Sequence, residues 1–142
     1  MTLYVVDVSV AAKWFLPEIH SDAALRLCHA DSRLHVPGLF DLEFSNIVCK
    51  RIRRQEISTE DGYEILQAIA KIPMTRHPDN SLLSSAFELA NQTYRSLYDC
   101  LYLALAVNLK AHMVTADHKF YENVSQGPLK IYLSWVEDLP TV

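Results

Sequence analysis

Glycine is scarce in this chain, with 3 in 142 residues, which speaks against a glycine-rich phosphate loop and against a turn-dense β architecture. No apolar stretch approaches the ~20 residues of a membrane span. The best, residues 100–107, is too short, so no membrane association is expected. Nor does a basic and then apolar segment with a cleavage site precede the first strand-like pattern, so no secretion signal is expected. Cysteine is sparse and odd in number, 3 in all. Cys28, Cys49 and Cys100 are unclustered and lie in helical, largely apolar contexts. That argues against a disulfide framework or a zinc site and reads as buried free thiols in a reducing compartment, hence a cytoplasmic protein. Positive charge is not in excess either: 13 Lys and Arg stand against 17 Asp and Glu, for a net charge of −4. Adhesion to nucleic acid by surface charge alone is therefore disfavoured.

What is present suits one domain over residues 1–142 with a full hydrophobic core: 50% of the residues are apolar and 21% charged. Residues 3–8 read as a buried strand, followed by a short helix through Ala11, Ala12, Lys13 and Trp14 that stops near Pro17. Residues 21–31 are amphipathic. A brief strand at 34–36 leads into a long helix from about residue 38 to 54. Ser58 with Asp61 three residues on resembles a capping box and opens a helix carrying Tyr63, Leu66 and Ile69. A strand within 72–76 precedes a helix near 80–92 that buries either Leu83, Phe87 and Ala90 or Leu82, Ala86 and Leu89. A helix over about 98–110, a strand at 112–115, a short helical piece and a last strand at 129–133 complete the pattern. Short strands alternating with helices point to an α/β fold whose short, mainly parallel central sheet is flanked by helices. In such sheets, sites form outside the carboxyl ends of the strands.

Four carboxylates interrupt apolar segments where folding alone would not put a charge. Burying one unpaired carboxylate costs several kcal/mol or forces it to hold a proton. Asp7 closes the first strand and Asp117 follows the strand at 112–115; each could simply cap the helix that comes next. Glu43 shares a helical face with Leu39, Phe40 and Ile47. Asp99 shares one with Tyr102 and Leu103, or serves as a first-turn acid at the helix dipole. Together they suggest convergence on a divalent cation, and oxygen ligands without His or Cys partners suit Mg²⁺ or Mn²⁺ rather than zinc. A basic knot, Lys50, Arg51, Arg53 and Arg54, ends the long helix; it fits either a solvated helix terminus or a set of phosphate contacts.

The segments VVDVSVAAKWF (5–15), VPGLFDLEFSNIV (36–48), LYDCLYLALA (97–106) and VTADHKFY (114–121) resemble the four acidic motifs of PIN-domain nucleases. Their order, spacing and the chain length are most similar to VapC-type toxins of type II toxin–antitoxin systems. The resemblance implies a PIN-like three-layer domain and a Mg²⁺-dependent endoribonuclease that cleaves RNA phosphodiesters with metal-activated water. It also implies a cognate antitoxin that holds the enzyme inactive. Asp7 and Asp99 match the positions that most directly hold the metal, Glu43 the third acid and Asp117 the fourth. Ser9 and Thr115 match small hydroxyl residues that hydrogen-bond to the acids rather than act as nucleophiles. His118, beside Asp117 where the family varies, is assigned no catalytic role.

Two further expectations concern assembly. Apolar surface on the helix with Tyr63, Leu66 and Ile69, and on the long helix before it, points with the resemblance to a two-fold homodimer that brings the basic residues near the groove. An acidic groove without its metal attracts cations, so the antitoxin is expected to insert a basic tail. The principal alternative is a catalytically inactive PIN-like scaffold acting through protein binding. A haloacid-dehalogenase-type phosphatase would need an Asp two residues after Asp7, where Ser9 stands. A receiver domain would need an acidic pair that is missing, and no nucleophile elbow is legible for a serine or cysteine hydrolase.

Overall fold

The computed structural model describes residues 2–29 and 31–141. Its strands are β1 (Thr2–Val6), β2 (Ser32–Pro37), β3 (Thr75–His77), β4 (His112–Thr115) and β5 (Leu133–Trp135). They form one sheet in the order β3-β2-β1-β4-β5, and every neighbouring pair is parallel. The alternating α/β pattern of the sequence is thus realised as a parallel sheet. Tyr4 of β1 stands opposite Leu34 on one side and His112 on the other. Val5 and Val6 of β1 and Met113 and Val114 of β4 are buried because helices cover both faces. The β3 edge stays polar: Arg76 grips Asp41 with Nε at 2.7 Å and Nη2 at 2.9 Å, which blunts an otherwise open strand.

Around the sheet run α1 (Val8–Phe15), α2 (Ser21–Ala24), α3 (Leu39–Arg53), α4 (Thr59–Ala70), α5 (Leu83–Thr93), α6 (Leu97–Leu109) and α7 (His118–Ser125). α6 is the inner helix. Its residues 100–106 are all buried, so it is apolar around its whole circumference rather than along one stripe. The Ser96 hydroxyl accepts the Asp99 N–H at 3.1 Å and starts α6. Lys110, left-handed at φ 54°, ends it by returning its N–H to the carbonyls of Ala106 and Val107. Ser58 starts α4 in the same way, accepting the Asp61 N–H at 3.0 Å. α4 lies so close to α3 that a Cβ on Gly62 would meet Ile52 Cδ1 at 2.6 Å, which explains the smallest residue at that crossing. Among the described residues, no helix is long and apolar enough to cross a membrane.

Several sequence expectations need correction. The last strand begins at Leu133; residues 128–132 form a 3-10 turn opened by Pro128, and a short apolar run does not distinguish the two by its pattern. The amphipathic stretch 21–31 is helical only through Ala24 and then tightens to a 3-10 turn over 25–27. Trp14 Nε1 donates to the Ala24 carbonyl at 2.8 Å and takes the place of a further helical donor there. Residue 30 lies outside the described residues. Of the cysteines only Cys100 is buried; Cys49 falls on the outer arc of α3, whose inner arc is Phe40, Phe44 and Val48. In α5 it is Leu82 and Ala86 that are buried, while Leu83 and Phe87 face solvent. The expected apolar surface is partly absorbed: Phe40 and Ile69 are buried and Leu66 packs on the core, leaving Tyr63 on α4 and Leu42 on α3 exposed.

Candidate active site

Strand order reverses direction between β1 and β4, which opens a crevice at their carboxyl ends. Asp7 stands there. Its N–H donates to the Val114 carbonyl at 3.1 Å, continuing the pairing of the two strands by one residue. By backbone position Asp7 precedes α1, yet its side chain makes no capping hydrogen bond. Instead Oδ2 accepts from Ser9 Oγ at 2.6 Å and from Thr115 Oγ1 at 2.9 Å. Each hydroxyl in turn accepts a backbone N–H, Ser9 from Ala116 at 3.0 Å and Thr115 from Asp117 at 3.1 Å. An N–H can only donate, so the proton of each hydroxyl is left for Asp7. The residue is 6% exposed. Burial pushes its carboxyl up to about 7; the two hydroxyls oppose the rise, and the charges of Asp99 and Glu43 add to it.

The other acids are arranged around it. Glu43, in the second turn of α3, accepts a hydrogen bond on Oε1 from the Tyr102 hydroxyl at 2.7 Å. Burial raises its carboxyl against that bond, and the charges of Asp99 and Asp79 raise it further. Tyr102 is held firmly protonated by burial and by the charges of Asp7 and Glu43, so it remains a donor. Asp99, in the first turn of α6, is likewise raised by burial and by Asp117, with Ser96 and Arg95 opposing. Arg95 Nη2 lies 3.8 Å from Asp99 Oδ2, and its guanidinium carbon rests 5.5 Å from the centre of the Phe120 ring. Asp117 realises its capping alternative: Oδ1 accepts the Phe120 N–H at 3.1 Å and starts α7. The four acids of the sequence pattern therefore share one electrostatic neighbourhood, although only Asp117 does the ordinary work of a helix cap.

A hard divalent cation fits the chemistry of this donor set, which is all carboxylate and in which burial and mutual repulsion hold three members above their ordinary values. The spacing is looser than the sequence led us to expect. Among the described residues no three His, Cys, Asp or Glu side chains stand where they could hold one metal ion together. Asp7, Glu43 and Asp117 each commit one oxygen to a protein donor and keep the other, so an ion here would complete its shell with water.

Beside Ser9 and Ala116 a groove of about 330 Å³ runs between α1 and α3, and its far wall carries Lys50, Arg51 and Arg54. Three of the four basic residues singled out in the sequence thus line the same groove as Ser9, whose hydroxyl touches Asp7. Arg53 is exposed outside that lining. Sequence reasoning missed four participants. Tyr102 is three residues after Asp99, on the same face, and could have been found by that spacing. Lys13 lines the groove and is the one charge in α1, also a legible signal. Asp79, whose Oδ1 accepts the Leu39 N–H at 3.0 Å and so caps α3 from the turn after the neighbouring β3, and Arg95 gave no sequence signal.

Residues 4–124 match the family model of the PIN domain. The chain is 34% identical over 115 residues to the VapC ribonuclease Mb0985 of Mycobacterium bovis, covering 81% of this chain and 86% of that relative. The chain belongs to the PIN domain family, among its VapC-type members. Its fold is similar to that of PAE2754 from Pyrobaculum aerophilum, with a TM-score of 0.69 at 20% identity over 96% of this chain and 85% of that one. It is also similar to a chain of the VapBC2 complex of Rickettsia felis bound to a promoter DNA fragment, with a TM-score of 0.66 at 13% identity over 94% and 98% of the two chains.

Proposed function

We propose that this protein is a metal-dependent endoribonuclease and the toxin of a toxin–antitoxin pair. The observation that carries the reading is Asp7: a carboxyl buried at the switch point of the sheet and pushed up to about 7 by burial and by Asp99 and Glu43, an arrangement that costs stability unless a cation binds. Asp7, Glu43, Asp99 and Asp117 would hold Mg²⁺ or Mn²⁺. When bound, the ion supplies positive charge to neutralise the phosphodiester in the transition state and lowers the pKa of water for attack. The chain's own groups do the rest. Ser9 and Thr115 fix the Asp7 carboxylate by Oδ2 and leave Oδ1 uncommitted. Tyr102 holds Glu43 by one oxygen and leaves the other free to turn. Lys50, Arg51 and Arg54 draw the RNA backbone along the groove, which compensates locally for the net negative charge. The name of the Mycobacterium bovis relative, a ribonuclease, supports RNA as the substrate. Cleavage of structured and unstructured RNAs by the purified protein, abolished by EDTA and restored by Mg²⁺ or Mn²⁺, tests it. An inactive scaffold is the weaker reading, since a protein used only for docking has no need of a raised, buried carboxyl.

The reading extends to partners. The acidic crevice would accept a basic tail of an antitoxin in place of the metal, as supported by likeness to a chain of a toxin–antitoxin complex from Klebsiella pneumoniae. Loss of RNA cleavage on co-purification with the neighbouring gene product is the expected result. A homodimer would cover the face where Leu42 and Tyr98, 72% and 58% exposed, line a cleft with Leu39 and Glu43. Sedimentation showing only monomer at micromolar concentration would count against that.

A further inference from the structure

Lys13 is 8% exposed, in a helix whose other seven residues carry no charge. A buried ammonium is stable only when it is paired. Its partner is Glu18, whose Oε1 lies 3.0 Å from Lys13 Nζ. The second oxygen of the same carboxylate accepts from Arg51 Nη2, also at 3.0 Å. One carboxylate thus bridges two cations from two different helices, α1 and α3. Burial pushes the Glu18 carboxyl up, but the hydrogen bonds and charges of Lys13 and Arg51 outweigh this and hold it below its ordinary value.

The location gives the bridge a meaning beyond structure. Lys13, Glu18 and Arg51 all line the groove that opens onto Ser9, and the Ser9 hydroxyl touches Asp7. The cations are carried by helices, and Arg51 is steadied from its other side by Glu56, 3.2 Å from Nε. The anion, by contrast, sits in the connection after Pro17, between α1 and α2, where it is 35% exposed and held by its backbone N–H donating to Ser21 Oγ. Two carboxylate oxygens spanning two fixed cations reproduce what the two non-bridging oxygens of a phosphodiester would do there.

We infer that Lys13 and Arg51 form a seat for an RNA backbone phosphate next to the one at Asp7, and that the Glu18 carboxylate is its internal occupant, displaced when RNA enters. The RNA part rests on the nuclease reading; the anion seat does not. The simpler alternative is an ion pair that only ties α1 to α3, and the two differ in how binding responds to loss of the carboxylate.

The test uses the full chain in EDTA, with binding of a labelled single-stranded RNA followed by fluorescence anisotropy over a range of KCl. Glu18→Gln should bind roughly two- to five-fold more tightly, the range expected of one partly exposed ion pair. The slope of log affinity on log salt should steepen by about 0.7, one more phosphate contact on a single strand. Arg51→Gln should bind more weakly with a shallower slope, and adding Glu18→Gln to it should recover less than Glu18→Gln gains alone. Glu88→Gln removes the same charge from the exposed face of α5, away from Lys13 and Arg51, and should gain little. Inorganic phosphate should raise the melting temperature of Glu18→Gln more than chloride at equal ionic strength, and should do so less for the wild type. The inference is overturned if Glu18→Gln binds RNA no more tightly and gains nothing from phosphate, or if Glu88→Gln gains as much. Should Glu18→Gln not fold, Arg51→Gln decides: unchanged affinity and slope would end the idea. A wild type that fails to cleave RNA beside a phosphate-stabilised Glu18→Gln would remove the nuclease reading and leave the seat. A wild type that cleaves, with binding unmoved by these substitutions, would do the reverse.

Discussion

Thr115 Oγ1 donates to Asp7 Oδ2 at 2.9 Å across 108 positions of sequence, and the same hydroxyl accepts the Asp117 N–H at 3.1 Å. One side chain at the end of β4 therefore orients the acid at the end of β1 and fixes the start of the segment that carries another. Thr115 is fully buried, so neither bond can be replaced by water without rearrangement.

Thr115→Val keeps the shape and removes both bonds. It should destabilise the protein by about 1–3 kcal/mol, the cost of leaving buried polar groups without partners, and drive the Asp7 carboxyl higher still. RNA cleavage should fall with it, whereas Thr115→Ser should retain most of both. Urea melts and a carboxyl titration by NMR check this; a Val variant as stable and active as wild type would make the hydroxyl incidental.

Asp7 also makes stability depend on pH in a direction that can be stated. Its carboxyl titrates near 7 in the fold against an ordinary 3.8, so between these values the native state binds a proton that the unfolded chain does not. Stability from this group is fully present below about pH 3.8 and is lost as the pH rises through about 7, and it amounts to something on the order of 4 kcal/mol. Glu43 and Asp99, raised as well, act with the same sign. In EDTA the protein should melt higher at pH 5.5 than at pH 8, and Asp7→Asn should flatten the difference. A wild type that is equally stable at both values would show the carboxyl to be ionised throughout.

Asp99→Asn separates activity from stability. The substitution keeps the shape and removes one ligand charge, so RNA cleavage should fall by orders of magnitude. In metal-free buffer it also relieves repulsion among the acids, so the variant should melt no lower than wild type. Added Mg²⁺ should raise the melting temperature of the wild type alone. Normal cleavage, or a much lower melting temperature in EDTA, would make Asp99 a structural helix acid.

Tyr102→Phe removes the donor that holds Glu43 at 2.7 Å. A partly buried carboxylate loses its partner, which should cost about 1–3 kcal/mol at neutral pH and less in acid, where Glu43 is protonated. Denaturant melts at the two pH values measure it. An equal loss at both would trace the effect to packing of the ring instead.

The sequence by itself determined the class of fold and where charge was out of place. Alternating short apolar strands and helices led to the parallel sheet, because a strand buried on both faces must be apolar throughout and a helix must follow to return the chain. The starts of α4 and α6 are local events, a hydroxyl and an N–H three residues apart, and local events are written in consecutive residues. Asp7, Glu43, Asp99 and Asp117 stood out because a carboxylate on an apolar face has a cost that any reader of the chain can see. Tertiary structure alone decided what each acid does. Whether Asp7 caps α1 or turns inward depends on Ser9 and on Thr115, which is far away in sequence. Only packing could bring Asp79 onto the first turn of α3 or set Glu18 between Lys13 and Arg51. It also decided that the basic end of α3 lines one groove with Ser9, beside Asp7. Such pairings join segments by distance in space, and the energies that choose among them, a hydrogen bond here and a screened charge there, leave no periodic trace along the chain.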